Sequence, residues 1–249
     1  MTPPSPPLSP LPSQPLSLRL AGETVRLWPD RALDWDSTLF IADPHFGKSS
    51  TLQSFGLAAP DPTSHDLQRL QLLLRESDCR RLVVLGDFFH ARAGRSPAVL
   101  DDLARWRSQH AGLEIVLIRG NHDRSAGDPP SSLEIQCFDE GWRLGPFDCR
   151  HEPPTTAGAD EHTLAGHLHP GFLLRDRSGS RLRSPCFVVG RSLTLLPAFG
   201  TFTGLHLIQP SPEVRIFLPA PPGVIELPRS PSPGRPRPAN PPINPRPES

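Results

Sequence analysis

Apolar positions along the chain recur in two rhythms. Leu16 to Leu20 and Thr24 to Trp28 alternate apolar with polar residues around an Ala-Gly-Glu turn, which predicts a β-hairpin. STLFIA (37–42), RLVVL (81–85) and LEIVLI (113–118) are short apolar runs, and each predicts a strand of the buried type. Between the first two, residues 62–75 place Leu67, Leu70, Leu73 and Leu74 on one helical face, with Thr63 or Ser64 as the cap. Between the last two, Ser96-Pro97 opens a second helix that runs to about Gln109. Shorter strands are predicted at 147–150, 163–165, 186–189, 193–196 and 205–208. Strands and helices alternate in the first half and strands dominate the second. That order predicts the α/β class, a sandwich of two packed sheets with flanking helices.

The ends of the chain follow neither rhythm. Residues 1–16 are Pro/Ser/Leu-rich and 219–249 are Pro/Arg/Ser-rich. Both are expected to be disordered or polyproline-like, leaving 17–218 as one domain. No apolar run approaches the roughly 20 residues of a membrane-spanning helix, and the N-terminus lacks the basic start and apolar block of a secretory signal. The expectation is a cytoplasmic protein with no membrane partner. Cys79, Cys137, Cys149 and Cys186 form no CxxC pair, so they are read as reduced, structural thiols. Basic and acidic residues number 26 each, so net charge does not announce a nucleic-acid binder. Every basic residue except Lys48 is arginine.

Five predicted strand ends carry the same kinds of side chain. Asp43-Pro44-His45 follows the first buried run, Gly86-Asp87-Phe88-Phe89-His90 the second and Gly120-Asn121-His122-Asp123 the third. His151 ends a fourth strand, and Gly166-His167-Leu168-His169 follows a fifth. Ligands of open α/β sheets bind beyond the carboxyl ends of strands, so these ends are expected to converge. Asp43 and His45 are two residues apart, as are His167 and His169, a spacing that faces one side of an extended segment. Glycine before Asp87, Asn121 and His167 permits close backbone approach. Imidazole, carboxylate and amide donors without thiolate suit manganese first, with iron or zinc as alternatives. Charge counting favours two divalent ions. Of their four positive charges, Asp43, Asp87 and a bridging hydroxide remove three, which leaves a site that attracts phosphate and serves an in-line displacement.

D-x-H, GD-x-x-H, GNHD, H and GH-x-H in this order resemble the calcineurin-like metallophosphoesterases over 43–169, and the strand pattern extends the likeness to 16–218. The resemblance implies a four-layer αββα sandwich with mixed sheets. It implies that Asp43, His45, Asp87 and His169 hold one cation, while Asp87, as the bridge, joins Asn121, His151 and His167 around the other. It further implies that His122 is no ligand but stands beside the substrate phosphate, stabilising charge or protonating the leaving oxygen. His90 is placed to orient His122 or touch the phosphate, and Asp123 to pin the loop or His122. Within the superfamily, ADPHFGKSSTLQSFG, VVLGDFFHA, RHEP, AGHLHP and LPAFGTFTG resemble the ligase-associated DNA damage response endonucleases (PdeM), bacterial enzymes grouped with a DNA ligase, a helicase and an exonuclease-like protein. That likeness implies cleavage of DNA phosphodiesters by a metal-bridging hydroxide, with those repair proteins as partners. Pro44 departs from the D-L-H of that group, yet leaves both ligands in place.

Other residues keep two readings. His90 is either part of the site or a buried structural histidine. Lys48 is either a point charge for substrate phosphate or simply where the one lysine falls. Arg175, Arg177, Arg181 and Arg183 follow GHLHP on a predicted hairpin loop, and either track a nucleic-acid backbone or belong to a solvated loop. Phe199 and Phe202 are read as core packing ahead of base stacking. Two rival functions stand beside the nuclease. One is a phosphoesterase of nucleotides or small phosphodiesters, against which the lack of an inserted cap speaks. The other is a non-catalytic repair scaffold, against which the complete donor set and His122 speak.

Overall fold

The structure, a computed structural model, describes residues 13–50, 56, 62–155, 161–175 and 178–229. Arg177 and the outer parts of both proline-rich ends lie outside the described residues. The three apolar runs form β4 (Thr38–Ala42), β5 (Arg81–Leu85) and β6 (Glu114–Ile118), paired parallel and in step. β7 (Ile135–Phe138) extends them on one side. The antiparallel strands β1 (Leu16–Leu20), β2 (Glu23–Trp28) and β3 (Ala32–Trp35) extend them on the other, completing a seven-stranded sheet. Alternate residues of the parallel strands face opposite cores. Leu39, Ile41, Leu82, Val84, Ile115 and Leu117 pack under two helices, while Phe40, Ala42, Val83, Leu85, Val116 and Ile118 face the second sheet. Burial on both faces is the reason these runs read as continuous apolar segments.

The helices are α1 (Thr63–Ser77) and α2 (Pro97–Gln109). Ser96 Oγ accepts from Val99 N and Pro97 opens α2, as expected. The expected cap of α1 is not used: its N-cap is Pro62, without a side-chain bond. The Thr63 hydroxyl instead accepts from Gly47 N at 3.1 Å, tying the helix to the segment after His45.

The second sheet runs β17-β16-β13-β14-β10-β9-β8. Its strands are β8 (Trp142–Leu144), β9 (Phe147–Cys149), β10 (His162–Ala165), β13 (Phe187–Val189), β14 (Leu193–Leu195), β16 (Arg215–Ala220) and β17 (Gly223–Glu226). Phe147, Leu164, Phe187, Leu196 and Phe217 fill the space between the sheets. The result is the expected α/β sandwich. Its outer layer differs, because the far face of the second sheet is covered among the described residues by a small sheet rather than a helix. That sheet is β12 (Arg181–Pro185), β11 (Pro170–Arg175) and β15 (His206–Leu207). Its Phe172 and Leu174 pack with Val188, Leu195, Ile216 and Leu218.

The boundary expected at 218 falls inside β16, and residues 219–226 form the edge hairpin of the second sheet rather than a tail. Proline is tolerated there for a local reason. The β13 pairing ends at Phe187–Phe217, so the missing N–H of Pro219 faces no β13 partner. No helix is long and apolar enough to cross a membrane among the described residues. The four cysteines are unbonded.

Candidate metal centre

The carboxyl ends of β4, β5, β6, β9 and β10 meet where the two sheets touch. An isolated parallel bridge joins Ala42 to Ala198 there, and another joins Phe46 to Phe89. Asp43, His45, Asp87, His167 and His169 all adopt left-handed backbone, with φ of 50°, 48°, 54°, 66° and 45°. Such conformations cost on the order of 1–3 kcal/mol each and persist where the surroundings over-determine them. Asp and His are among the side chains that tolerate this region best. The D-x-H and H-x-H pairs therefore present their donor side chains by paired left-handed residues, not by the strand pleat that the spacing suggested. Loop-to-loop hydrogen bonds hold the conformation. His45 N donates to Asp87 O at 3.0 Å, Phe46 N to Phe88 O at 2.9 Å and Asp43 N to Gly86 O at 3.2 Å.

The donors fall into two neighbouring groups. In one, His45 Nε2 lies 3.2 Å from His169 Nε2 and 3.8 Å from Asp87 Oδ2, and His169 Nε2 lies 3.6 Å from Asp43 Oδ1. In the other, His151 Nε2 lies 2.9 Å from Asn121 Oδ1, 3.0 Å from His167 Nδ1 and 3.4 Å from Asp87 Oδ1. Two nitrogens about 2.1 Å from one cation and about 90–110° apart sit roughly 3.0–3.4 Å from each other, so these separations suit ligation. Asp87 turns Oδ2 toward the first group and Oδ1 toward the second, and Asp43 Oδ1 lies 3.6 Å from both His169 Nε2 and His151 Nδ1.

Several polar atoms have no protein partner or are oriented by one. Asp43 Oδ2 accepts from His167 N at 2.9 Å, while Oδ1 is buried with no hydrogen-bond partner. His151 Nδ1 donates to Leu85 O at 3.0 Å, which leaves Nε2 with its lone pair facing the site. Burial, then the neighbouring His169, Lys48, His122 and His90, hold the His45 pKa down to about 2, so its imidazole stays neutral and free to ligate. Burial and the nearby Asp43 push the Asp87 carboxyl above its ordinary range, a penalty that cations beside it would reverse. An orphaned carboxylate oxygen, a neutral imidazole at His45 and no thiolate fit a pair of divalent cations.

The glycines before Asp87, Asn121 and His167 have a specific role. A Cβ on Gly86 would lie 2.1 Å from His151 Nδ1, one on Gly120 2.3 Å from Asp87 Oδ1 and one on Gly166 2.7 Å from Asp43 Oδ2. Each glycine thus vacates the space that a donor side chain fills. Gly86→Ala is expected to displace His151, at an overpacking cost of about 1–3 kcal/mol added to strain at its φ of 79°. Displacing a catalytic group by about 1 Å costs on the order of 100-fold in rate. Metal content, thermal unfolding and aryl phosphodiester hydrolysis should fall together in this variant.

Residues 37–176 match the family model described as calcineurin-like phosphoesterase. The chain belongs to the calcineurin-like phosphoesterases. A solved Pseudomonas putida nuclease MPE is 45% identical, with a TM-score of 0.73 over 83% of this chain and 97% of that one. A solved phosphoesterase from E. coli, Yfce, is 15% identical with a TM-score of 0.36 over 73% and 86% of the two chains, too distant to carry an argument. Comparison with curated protein sequences gives no match. This calcineurin-like phosphoesterase is a metal-dependent phosphoester hydrolase, and its family implies a site for two divalent cations.

Around the donors, the structure sorts the remaining expected residues. His122 Nδ1 donates to His90 O at 2.5 Å, and the two rings stack at 5.0 Å and 24°. His90 therefore meets His122 through its main-chain carbonyl and its ring face. Burial, then Lys48, hold the His90 pKa down to about 4. Lys48 is half-buried and near enough to act on both His45 and His90. Asp123 does not face the donors. Its carboxylate accepts from Asp87 N at 2.8 Å, Phe88 N at 2.9 Å and Gly120 N at 2.9 Å, fixing one ligand loop to another. Arg175 lies at the far end of β11, five strand residues or about 17 Å beyond Pro170, so it is not brought to the donors. Phe199 is core, as expected, with the Arg69 guanidinium 4.5 Å from its ring centroid. Phe202 is not; it is 44% exposed.

Sequence reasoning missed the support beneath residues 198–201. Asp66 of α1 accepts from Thr201 N at 3.0 Å, and Arg31 donates to Ala198 O and Gly200 O. A Cβ on Gly200 would lie 2.3 Å from Pro44 O, so this loop packs directly behind the Asp43-Pro44-His45 turn. Only the polar Asp66 within an apolar helical face could have signalled it.

Proposed function

We propose that this phosphoester hydrolase is a nuclease that cleaves phosphodiesters of DNA, with manganese as the working metal, in bacterial DNA repair. The observation that carries the reading is the 45% identity to a nuclease along almost the whole of that chain. Asp43, His45, Asp87 and His169 would hold one cation, and Asp87, Asn121, His151 and His167 the other. When bound, the cations supply Lewis-acid stabilisation of the phosphoryl oxygens and a nucleophile at neutral pH. The chain's own part is orientation and proton control. His122, with Nδ1 engaged by His90 O, has Nε2 3.9 Å from Asp87 Oδ2 and a side chain 35% exposed, so it can meet substrate and stabilise or protonate the leaving oxygen. Lys48, near enough to act on His45 and His90, adds positive charge for the substrate phosphate. Asp123 is a positioning residue.

The test is a substrate panel. Chelated protein should be inactive, and manganese should restore cleavage of supercoiled plasmid and single-stranded DNA. Aryl phosphodiesters should be hydrolysed faster than the matching monoesters. Preference for the monoester, with DNA untouched, would show a small-molecule phosphatase instead.

A further inference from the structure

His122 stands near the start of a helix too short to hold itself. That helix is α3 (Asn121–Ala126), of six residues, whereas isolated helices need about 12–15 to be even marginally stable in water. Its direction is therefore set by what grips its two ends. At the N-terminal end, the Asp123 carboxylate accepts from Gly120 N, Asp87 N and Phe88 N. At the C-terminal end the last carbonyls have no acceptor role within the helix, and one of them is taken up from outside. Arg95 Nη1 donates to Ala126 O at 2.9 Å. A cation there also complements the negative end of the helix dipole. Gly127 follows at a φ of 84°, and a Cβ on it would lie 3.1 Å from Arg95 Nη1, so the bare backbone admits the guanidinium.

Arg95 belongs to the same turn that meets His122. His90 O accepts from His122 Nδ1, and Arg92–Gly94 forms a short 3₁₀ turn between that carbonyl and Arg95. Gly94 N donates to Ala91 O at 2.9 Å and Arg95 N to Arg92 O at 3.1 Å. The turn is seated against a donor loop, because a Cβ on Gly47, two residues after His45, would overlap Gly94 O. The guanidinium carbon of Arg95 lies 5.4 Å from the ring centroid of the buried Phe89, within cation–π range. Residues 90–95 thus grip α3 twice, at His122 and, about one helical turn later, at Ala126.

We propose that Arg95 is a positioning residue for His122, clamping α3 against the 90–95 turn so that the imidazole is held where the leaving oxygen departs. The inference rests on the role given to His122 above and adds to it the residue that fixes that role in space. With the His90 carbonyl as the one tie, α3 would pivot about the hydrogen bond at His122. A second tie one turn later removes that freedom. The freedom matters because a shift of about 1 Å at a catalytic group costs on the order of 100-fold in rate. Arg119 is no substitute. It pairs with Asp128, just beyond the helix, in an exposed contact of the kind that contributes little. That contact still keeps the segment attached to the end of β6, so removing Arg95 should loosen α3 rather than unfold it.

The experiment compares manganese-loaded parent, Arg95→Ala, Arg95→Lys, His122→Ala and the double variant Arg95→Ala/His122→Ala on methyl aryl phosphates whose phenols span a range of acidity. A nitrophenolate departs without a proton, whereas a poorer leaving group needs one. Arg95→Ala should keep both metals and the parent KM. Its kcat should fall about 100-fold on the poorest leaving group and change little on nitrophenolate, so the dependence of rate on leaving-group acidity steepens. Arg95→Lys should recover most of the loss, because an ammonium can still donate to Ala126 O. Once His122 is gone, removing Arg95 should cost nothing further. Thermal unfolding should move by only about 2–4 °C. Should Arg95→Ala unfold far below the parent, Arg95→Lys against Arg95→Gln makes the same comparison. A loss equal on every leaving group, or one that persists without His122, would show general support of the fold and overturn the proposal, as would parent-like kcat throughout. A raised KM with kcat unchanged would also overturn it and make Arg95 a substrate contact. A parent that shows the His122-dependent and Arg95-dependent slope on these diesters but leaves DNA intact would remove the nuclease reading while the assignment of Arg95 stands. Parent-like rates of His122→Ala on every diester would remove the role of His122, and the proposal with it.

Discussion

Asp87→Asn is expected to lower phosphodiester hydrolysis by at least about 1,000-fold, more than the 10–100-fold typical of outer partners in metal sites, and to drop the bound metal below two per chain. Asp87 Oδ1 lies 3.4 Å from His151 Nε2 and Oδ2 lies 3.8 Å from His45 Nε2, so it offers one oxygen to each donor group. An amide keeps the shape but removes the charge and replaces one acceptor oxygen with a donor. The fold should survive, because the amide oxygen can still accept from His122 N, as Asp87 Oδ1 does at 3.0 Å. The metal-free protein adds a sign that can be checked. Burial and Asp43 raise the folded-state pKa of Asp87, so the stability associated with its neutral form is present at low pH and lost as pH rises through that value. A permanently neutral Asn avoids this loss. Chelated Asp87→Asn should therefore unfold at or above the parent temperature at neutral pH, while the manganese-loaded comparison reverses, since only the parent gains ligand stabilisation. A chelated variant that unfolds well below the parent would show that Asp87 serves the fold rather than the metals.

What could be read from the sequence follows from how each feature writes itself into it. The parallel strands were legible because burial on both faces demands unbroken apolar runs, as in Val83 to Leu85. β3 was not, because its Asp34 breaks the run; the carboxylate is buried by bonds to Arg26 at 2.9 Å and Trp28 Nε1 at 3.0 Å that no local pattern announces. The small sheet was hidden for a related reason, since β12 alternates arginine with Leu182 and reads as a polar loop. The donors themselves were legible because metal chemistry restricts residue types and spacing. The glycines beside them were legible as close approaches, and the contacts a Cβ would make at Gly86, Gly120 and Gly166 bear that out. The left-handed backbone at Asp43, His45, His167 and His169 was not, because any non-glycine residue conceals its φ. The exposure of Phe202 was missed because an aromatic between glycines reads as core.

His122→Ala is expected to retain both metals and lose about 10²–10⁴-fold in kcat, the usual range for a general acid or base. The family pattern leaves His122 outside the ligand set. Its Nδ1 is engaged by the His90 carbonyl, its Nε2 stands 3.9 Å from Asp87 Oδ2, and its side chain is 35% exposed. A group that meets substrate must stay accessible, and His122 does. The loss should depend on the leaving group. An aryl oxide departs without a proton, whereas a deoxyribose alkoxide needs one, so the variant should be impaired far more on DNA than on an aryl diester. His90→Ala should be milder, because the carbonyl that orients His122 belongs to the main chain and only the stacked ring is removed. Metal analysis beside kcat for both substrates decides the matter. Loss of a metal in His122→Ala would make it a ligand, and parent-like turnover on DNA would deny it any part in expelling the leaving oxygen.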